Sequence, residues 1–137
     1  MTPSVANKRI LMVEDDVYNM RPTIDALEVA GAKITIARSA TEALSELKKG
    51  QFDLVILDIM MASGPMIKTE DQGRSTGIIL YSTIRESIGE SLPVVVSTVV
   101  SDPQALEVFR SDHHCSVLLK PYLFGELVSA IEAVLSR

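Results

Sequence analysis

Short apolar runs of strand length alternate along this chain with stretches whose apolar residues recur at helical spacing, and turn or capping residues separate the two. The first run, Arg9 to Val13 (RILMV), is nearly continuous and ends abruptly in Glu14, Asp15 and Asp16, the pattern of a buried parallel strand with a polar site at its end. Between Asp16 and Ala30, the spacing of Met20, Ile24, Leu27 and Val29 predicts a helix stopped by Gly31. Pro22 inside that pattern requires the helix to begin near Tyr18 to Met20. Lys33 to Ala37 (KITIA) is the second strand, and Ser39 with Glu42 forms a capping box opening a helix through Leu44 and Leu47 to Gly50. The third strand, Asp53 to Leu57, again terminates in a carboxylate, Asp58.

Thr76 to Ile88 reads as a helix with Ile79, Leu80 and Ile84 facing inward, and Pro93 to Val96 as the fourth strand. Asp102 and Pro103 are an N-cap and a first-turn proline opening a helix through Leu106 and Phe109. Val117 to Leu119 is the fifth strand, and Phe124 to Leu135 closes the chain as an amphipathic helix. A strand-then-helix unit repeated five times predicts an α/β fold, a doubly wound five-stranded parallel sheet with helices on both faces. The chain has the length of one domain, residues 1–137, with a folded core from 8 to 136. Residues 61–75, with Gly64-Pro65, Glu70, Asp71 and Gly73 and no period, form a long loop after the third strand.

Composition narrows the function classes. With 47% hydrophobic and 23% charged residues the chain has the balance of a soluble globular protein. The formal charge of −5 and the lack of a Lys/Arg stripe disfavour direct nucleic-acid binding. No apolar run approaches the roughly 18 residues of a membrane span, and the first residues lack a signal segment, so the expected location is cytoplasmic, without membrane insertion. Cys115 is the single cysteine, which fits a reducing compartment and a small buried apolar side chain.

Parallel strands joined by right-handed crossovers bring all their C-terminal ends to one edge, and there the candidate chemistry gathers. Glu14, Asp15 and Asp16 follow strand one, Asp58 strand three, Ser97 and Thr98 strand four, and Lys120 strand five. In a 2-1-3-4-5 order the acidic cluster and Asp58 face each other across the crevice between strands one and three. Clustered carboxylates repel unless a cation compensates, and Mg²⁺ suits a hard oxygen set that leaves room for phosphate oxygens. A carboxylate nucleophile, a metal, a lysine and a hydroxyl together can accept a phosphoryl group, because that chemistry is mainly positioning and charge neutralisation.

These residues are also where the sequence resembles a family: VEDD at 13–16, LDIMM at 57–61, the Ser97-Thr98 step and LLKP at 118–121 are similar to the receiver domains of two-component response regulators. The resemblance covers nearly the whole chain and implies the flavodoxin-like, CheY-like order 2-1-3-4-5. It implies that Asp58 accepts phosphate from a histidine kinase or phosphotransfer protein, that Glu14, Asp15, Asp58 and the main-chain carbonyl of Met60 hold Mg²⁺, and that Thr98 and Lys120 grip the phosphoryl group. It further implies a cis peptide before Pro121, a downstream protein effector and no enzyme activity beyond the domain's own phosphorylation and dephosphorylation. Homodimerisation stays open. Asp16 falls one place beyond the acidic pair, as a helix cap.

The chain departs from the family pattern twice. Val117 stands three residues before the lysine, where receivers commonly have an aromatic, so the switch needs another readout, through Tyr122, the last helices or the loop. Residues 61–75 replace a short turn, and the loop is expected to bear on kinase choice, hydrolytic water or dimer contacts. Two rival readings differ in class. A receiver-like interaction or dimerisation module would need no phosphate. A metal-dependent phosphohydrolase would want a second carboxylate two residues after its nucleophile, where Met60 stands.

Overall fold

Successive side chains of a strand point to opposite faces, so a parallel strand covered on both sides must be apolar at consecutive positions. In the computed structural model of the protein, which describes residues 5–59 and 76–137, five segments meet that demand. They are β1 (Arg9–Val13), β2 (Lys33–Ala37), β3 (Leu54–Asp58), β4 (Val94–Thr98) and β5 (Cys115–Leu119). All pair in parallel, in the order β2-β1-β3-β4-β5 that the resemblance implies. The helices are α1 (Val17–Val29), α2 (Ala40–Lys49), α3 (Thr76–Thr83), α4 (Pro103–Arg110) and α5 (Phe124–Leu135).

Alternation along the strands sorts the core into two layers. Leu11, Val13, Val55, Leu57, Val94 and Val96 pack on one face with Leu44 and Leu47 of α2, Leu80 of α3, and Leu106 and Phe109 of α4. Ile10, Met12, Leu54, Ile56 and Val95 pack on the other with Ile24 and Leu27 of α1 and Leu127, Ile131 and Val134 of α5. Each fully buried side chain of this size stabilises the fold by about 1.5–3 kcal/mol relative to exposure.

Several local features depart from the expectations. Helix α1 starts at Val17, ahead of Tyr18, and holds Pro22 inside it. The backbone bond that proline cannot make would end on the Tyr18 carbonyl, and Tyr18 and Pro22 are both exposed, so solvent can serve it. Val29, two residues past the inward Leu27, is 89% exposed rather than core. The helix ends in a Schellman motif: Gly31, at φ 101°, donates to the Glu28 carbonyl and Ala32 to that of Leu27. In the box at α2, Ser39 accepts from the Glu42 N–H, but the Glu42 carboxylate reaches the N–H of Arg38 instead of Ser39.

The third helix differs more. Regular helix ends at Thr83, and Ile84–Ile88 continues as a π-helical turn. Its inward stripe is Gly77, Leu80, Tyr81 and Ile84, so Ile79 lies outside it and is 37% exposed. Strand β3 is shifted one residue to include Asp58, β4 extends through Thr98, and β5 starts at Cys115.

Polar groups are tied down at the edge opposite the strand C-termini. The Arg85 guanidinium donates to Asp112 Oδ2 at 2.7 Å and to the carbonyls of Gly89, Leu92 and His114. It also lies over the Tyr81 ring, 5.2 Å from the centroid. The Tyr81 hydroxyl donates to the same Asp112 oxygen, whose partner Oδ1 accepts from the His114 N–H. Burial alone would raise the Asp112 carboxyl, but hydrogen bonds from Tyr81, the His114 N–H and Arg85 hold it below the usual carboxylate range. Burial, with the Asp112 charge adding, pushes the Cys115 thiol beside it up to about 12, so it stays protonated at neutral pH.

Candidate functional site

Register decides what meets at the other edge. Val13 pairs with Leu57, so Glu14 and Asp58 leave adjacent strands at the same level. Asp58 pairs with Ser97 and Ser97 with Leu118, so Lys120 leaves β5 two residues beyond that level, on the far side, and only its long side chain reaches the carboxylates. The Lys120 N–H is held by the Thr98 carbonyl at 2.8 Å, and the Lys120–Pro121 peptide is cis, as the resemblance implies.

Glu14, Asp15 and Asp58 each offer a carboxylate oxygen, and these oxygens all lie within 4.8 Å of one another. Lys120 Nζ stands 3.0 Å from Glu14 Oε2 and 3.5 Å from Asp58 Oδ2. Burial raises the Glu14 carboxyl and the neighbouring Asp58 charge raises it further, against the opposing pull of Lys120. Burial alone would depress the Lys120 ammonium, but Asp58 and Glu14 together lift it above its ordinary value. Among the described residues one lysine thus serves two close carboxylates with a third beside them, and the set has the hard-oxygen chemistry that a divalent cation would answer.

A cavity of about 590 Å³ opens over these groups. Its wall includes Glu14, Asp15, Asp16, Asp58 and Lys120, together with Asn19, Met20, Thr23, Val99, Pro121 and Tyr122. Asp16 is the N-cap of α1, accepting from the Asn19 backbone at 3.4 Å and from its side-chain amide at 2.6 Å, which matches the cap role expected of it. Asn19, Met20 and Thr23 went unremarked as site residues. The signal is in their spacing, since positions three, four and seven past the Asp16 cap share its face of the helix.

Thr98 is fully buried and does not line the cavity; its hydroxyl accepts the Val100 N–H at 3.0 Å. An accepting hydroxyl keeps its own hydrogen for donation elsewhere. Behind the lysine, the hydroxyls of Ser97 and Tyr122 are buried without a hydrogen bond of good geometry. Burial raises the Tyr122 phenol, with Ser97 and Lys120 pulling the other way. Val117 is half-buried against the core of the first layer. The Met60 carbonyl and the long loop at 61–75, with Glu70 and Asp71, lie outside the described residues.

With this geometry in hand, comparison with known proteins is informative. The family model of the response regulator receiver domain matches residues 10–132. The transcriptional regulatory protein PcoR of Escherichia coli is 31% identical over 134 residues, 95% of this chain and 52% of that protein. The swarming motility regulation protein RssB of Serratia marcescens is 27% identical over 93% of this chain and 53% of its own length. The chain therefore spans about half the length of these curated relatives. Among solved structures, a putative response regulator from Chloroflexus aurantiacus aligns with a TM-score of 0.77 at 26% identity, covering 96% of this chain and 99% of that one. The response regulator TrrA of Thermotoga maritima, solved in complex with Mg²⁺–BeF, aligns at 0.72 and 26% identity, covering 93% and 98%.

Proposed function

The chain belongs to the response regulator receiver domain family, and from that premise we propose that Asp58 is its phosphoryl acceptor, in a Mg²⁺-dependent reaction with a histidine kinase or phosphotransfer protein as donor. The observation that carries this reading is the meeting of Glu14, Asp15 and Asp58 within 4.8 Å with Lys120 on two of them. Mg²⁺ would be held by those three carboxylates and by the Met60 carbonyl, and when bound it supplies neutralisation of the phosphoryl oxygens. TrrA, a similar protein, was solved in complex with Mg²⁺–BeF, which supports the choice of metal.

In this reading an Asp58 carboxylate oxygen forms the new bond to phosphorus while the phosphorus–nitrogen bond to the donor imidazole breaks, and the leaving nitrogen recovers a neutral form. Lys120 is already within reach of Asp58 and offers a point charge to a phosphoryl oxygen. Phosphate adds about −1.5 to −2 charge. Thr98 would then turn its hydroxyl hydrogen toward that group, exchanging its present place beside Val100 for one in the site. A second arrangement favoured in this way is a population shift. Its output is a changed protein-binding surface read by a downstream effector in the cytoplasm, with no catalysis beyond the domain's own phosphorylation and dephosphorylation. Val117 leaves Tyr122, in the cavity wall, as the aromatic best placed to sense the change.

Intact-protein mass after incubation with Mg²⁺ and acetyl phosphate tests the proposal. One phosphoryl mass is expected on the wild type, lost on adding a chelator and absent from Asp58→Asn. No mass gain, together with no Mg²⁺ binding, would instead assign the chain to the phosphate-independent interaction modules.

A further inference from the structure

Gly77 has the tightest surroundings of any glycine among the described residues. A Cβ built on it would stand 2.3 Å from the Ile59 Cα and 2.4 Å from the Ile59 carbonyl oxygen, whereas carbon atoms in contact sit roughly 3.5–4 Å apart. The Gly77 N–H donates to that same oxygen at 2.9 Å. The requirement is space rather than backbone freedom, since Gly31 is the glycine at positive φ. What a side chain would strike is backbone, so no rotamer change relieves it; the Ile59 backbone or the start of α3 would have to move by about 1 Å.

Ile59 directly follows Asp58, and its side chain is buried in the first core layer. Gly77 therefore presses the start of α3 onto the residue next to the acceptor. The same contact joins residues on either side of the stretch from 60 to 75.

We propose that Gly77 is a positioning residue for phosphoryl transfer: by closing on the Ile59 backbone it holds the Asp58 carboxylate in register with Glu14 and Lys120, whatever the length of chain between Ile59 and Gly77. This rests on Asp58 being the acceptor. A misplacement of about 1 Å in a reacting group can cost on the order of 10²-fold in rate.

The test measures phosphorylation rates with acetyl phosphate at saturating Mg²⁺ per folded molecule, with folding checked by circular dichroism and thermal unfolding. Gly77→Ala is expected to slow the reaction by about 10- to 100-fold while remaining folded at the assay temperature. Gly125→Ala, where a Cβ meets nothing within 4 Å, should keep the wild-type rate. A variant with residues 62–74 replaced by a short Gly/Ser bridge, and Gly77 kept, should also keep it. That variant decides the matter if Gly77→Ala does not fold. A folded Gly77→Ala at the wild-type rate, or a folded bridge variant that has lost the reaction, overturns the proposal. A wild type that takes no phosphoryl group overturns the acceptor assignment beneath it.

Discussion

Two clusters of charge sit at opposite edges of the same sheet, and they are built on opposite principles. In the Arg85–Asp112–Tyr81 cluster the guanidinium serves one carboxylate and three carbonyls, and both Asp112 oxygens are occupied. In the Glu14–Asp15–Asp58 cluster three carboxylates stand around one lysine among the described residues. The consequence is read in the carboxyls: Asp112 is held below its ordinary value and Glu14 is pushed above it. A network with its partners in place stabilises the fold, whereas carboxylates gathered around a single site repel one another, and a cation can relieve that repulsion.

Removing an aspartate should therefore have opposite signs at the two edges. The largest expected effect is at the satisfied one: Asp112→Ala leaves the Arg85 charge, only 14% exposed, without its carboxylate, and should destabilise the fold by about 3 kcal/mol in urea titrations. Asp58→Asn removes a charge that raises Glu14 and should stabilise the metal-free protein by roughly 1 kcal/mol. A lowered denaturation midpoint for Asp58→Asn would break the comparison.

The smallest effect is in pH. Because the folded value of Asp112 is depressed, its stabilisation is fully present above the ordinary aspartate value of 3.8 and is lost as pH falls through the lower folded value. The stability gap between wild type and Asp112→Asn should accordingly hold steady from neutral pH down to the ordinary aspartate value and close only below it. A gap that instead grows on acidification would remove Asp112 from the stabilising role.

The two clusters also differ in how far they were legible in the chain. Glu14, Asp15, Asp58 and Lys120 each follow a run of apolar residues, so the strand pattern points to them, and the strand order brings them together. Asp16 as a cap was equally plain. Arg85 and Asp112 follow no such rule: they lie 27 residues apart, one in a helical turn and one in a connection, and neither stands at a motif position. Ile79 and Val29 were misplaced because apolar character alone does not say which side of a helix is covered. Thr98 is buried with its hydroxyl accepting the Val100 N–H, a backbone partner that the strand pattern does not reveal.

By itself the sequence determined the alternation of strand and helix, the parallel direction of the strands, and the carboxylates and lysine at the strand ends. These are properties of period, cap and chain direction, and they act over a few residues at a time. Tertiary structure alone decided that Gly77 lies against the Ile59 backbone, that Arg85 finds Asp112, and that Tyr122 joins the cavity wall. Each of those depends on how closely two distant backbones approach, a distance fixed by the packed core as a whole and written at no single position.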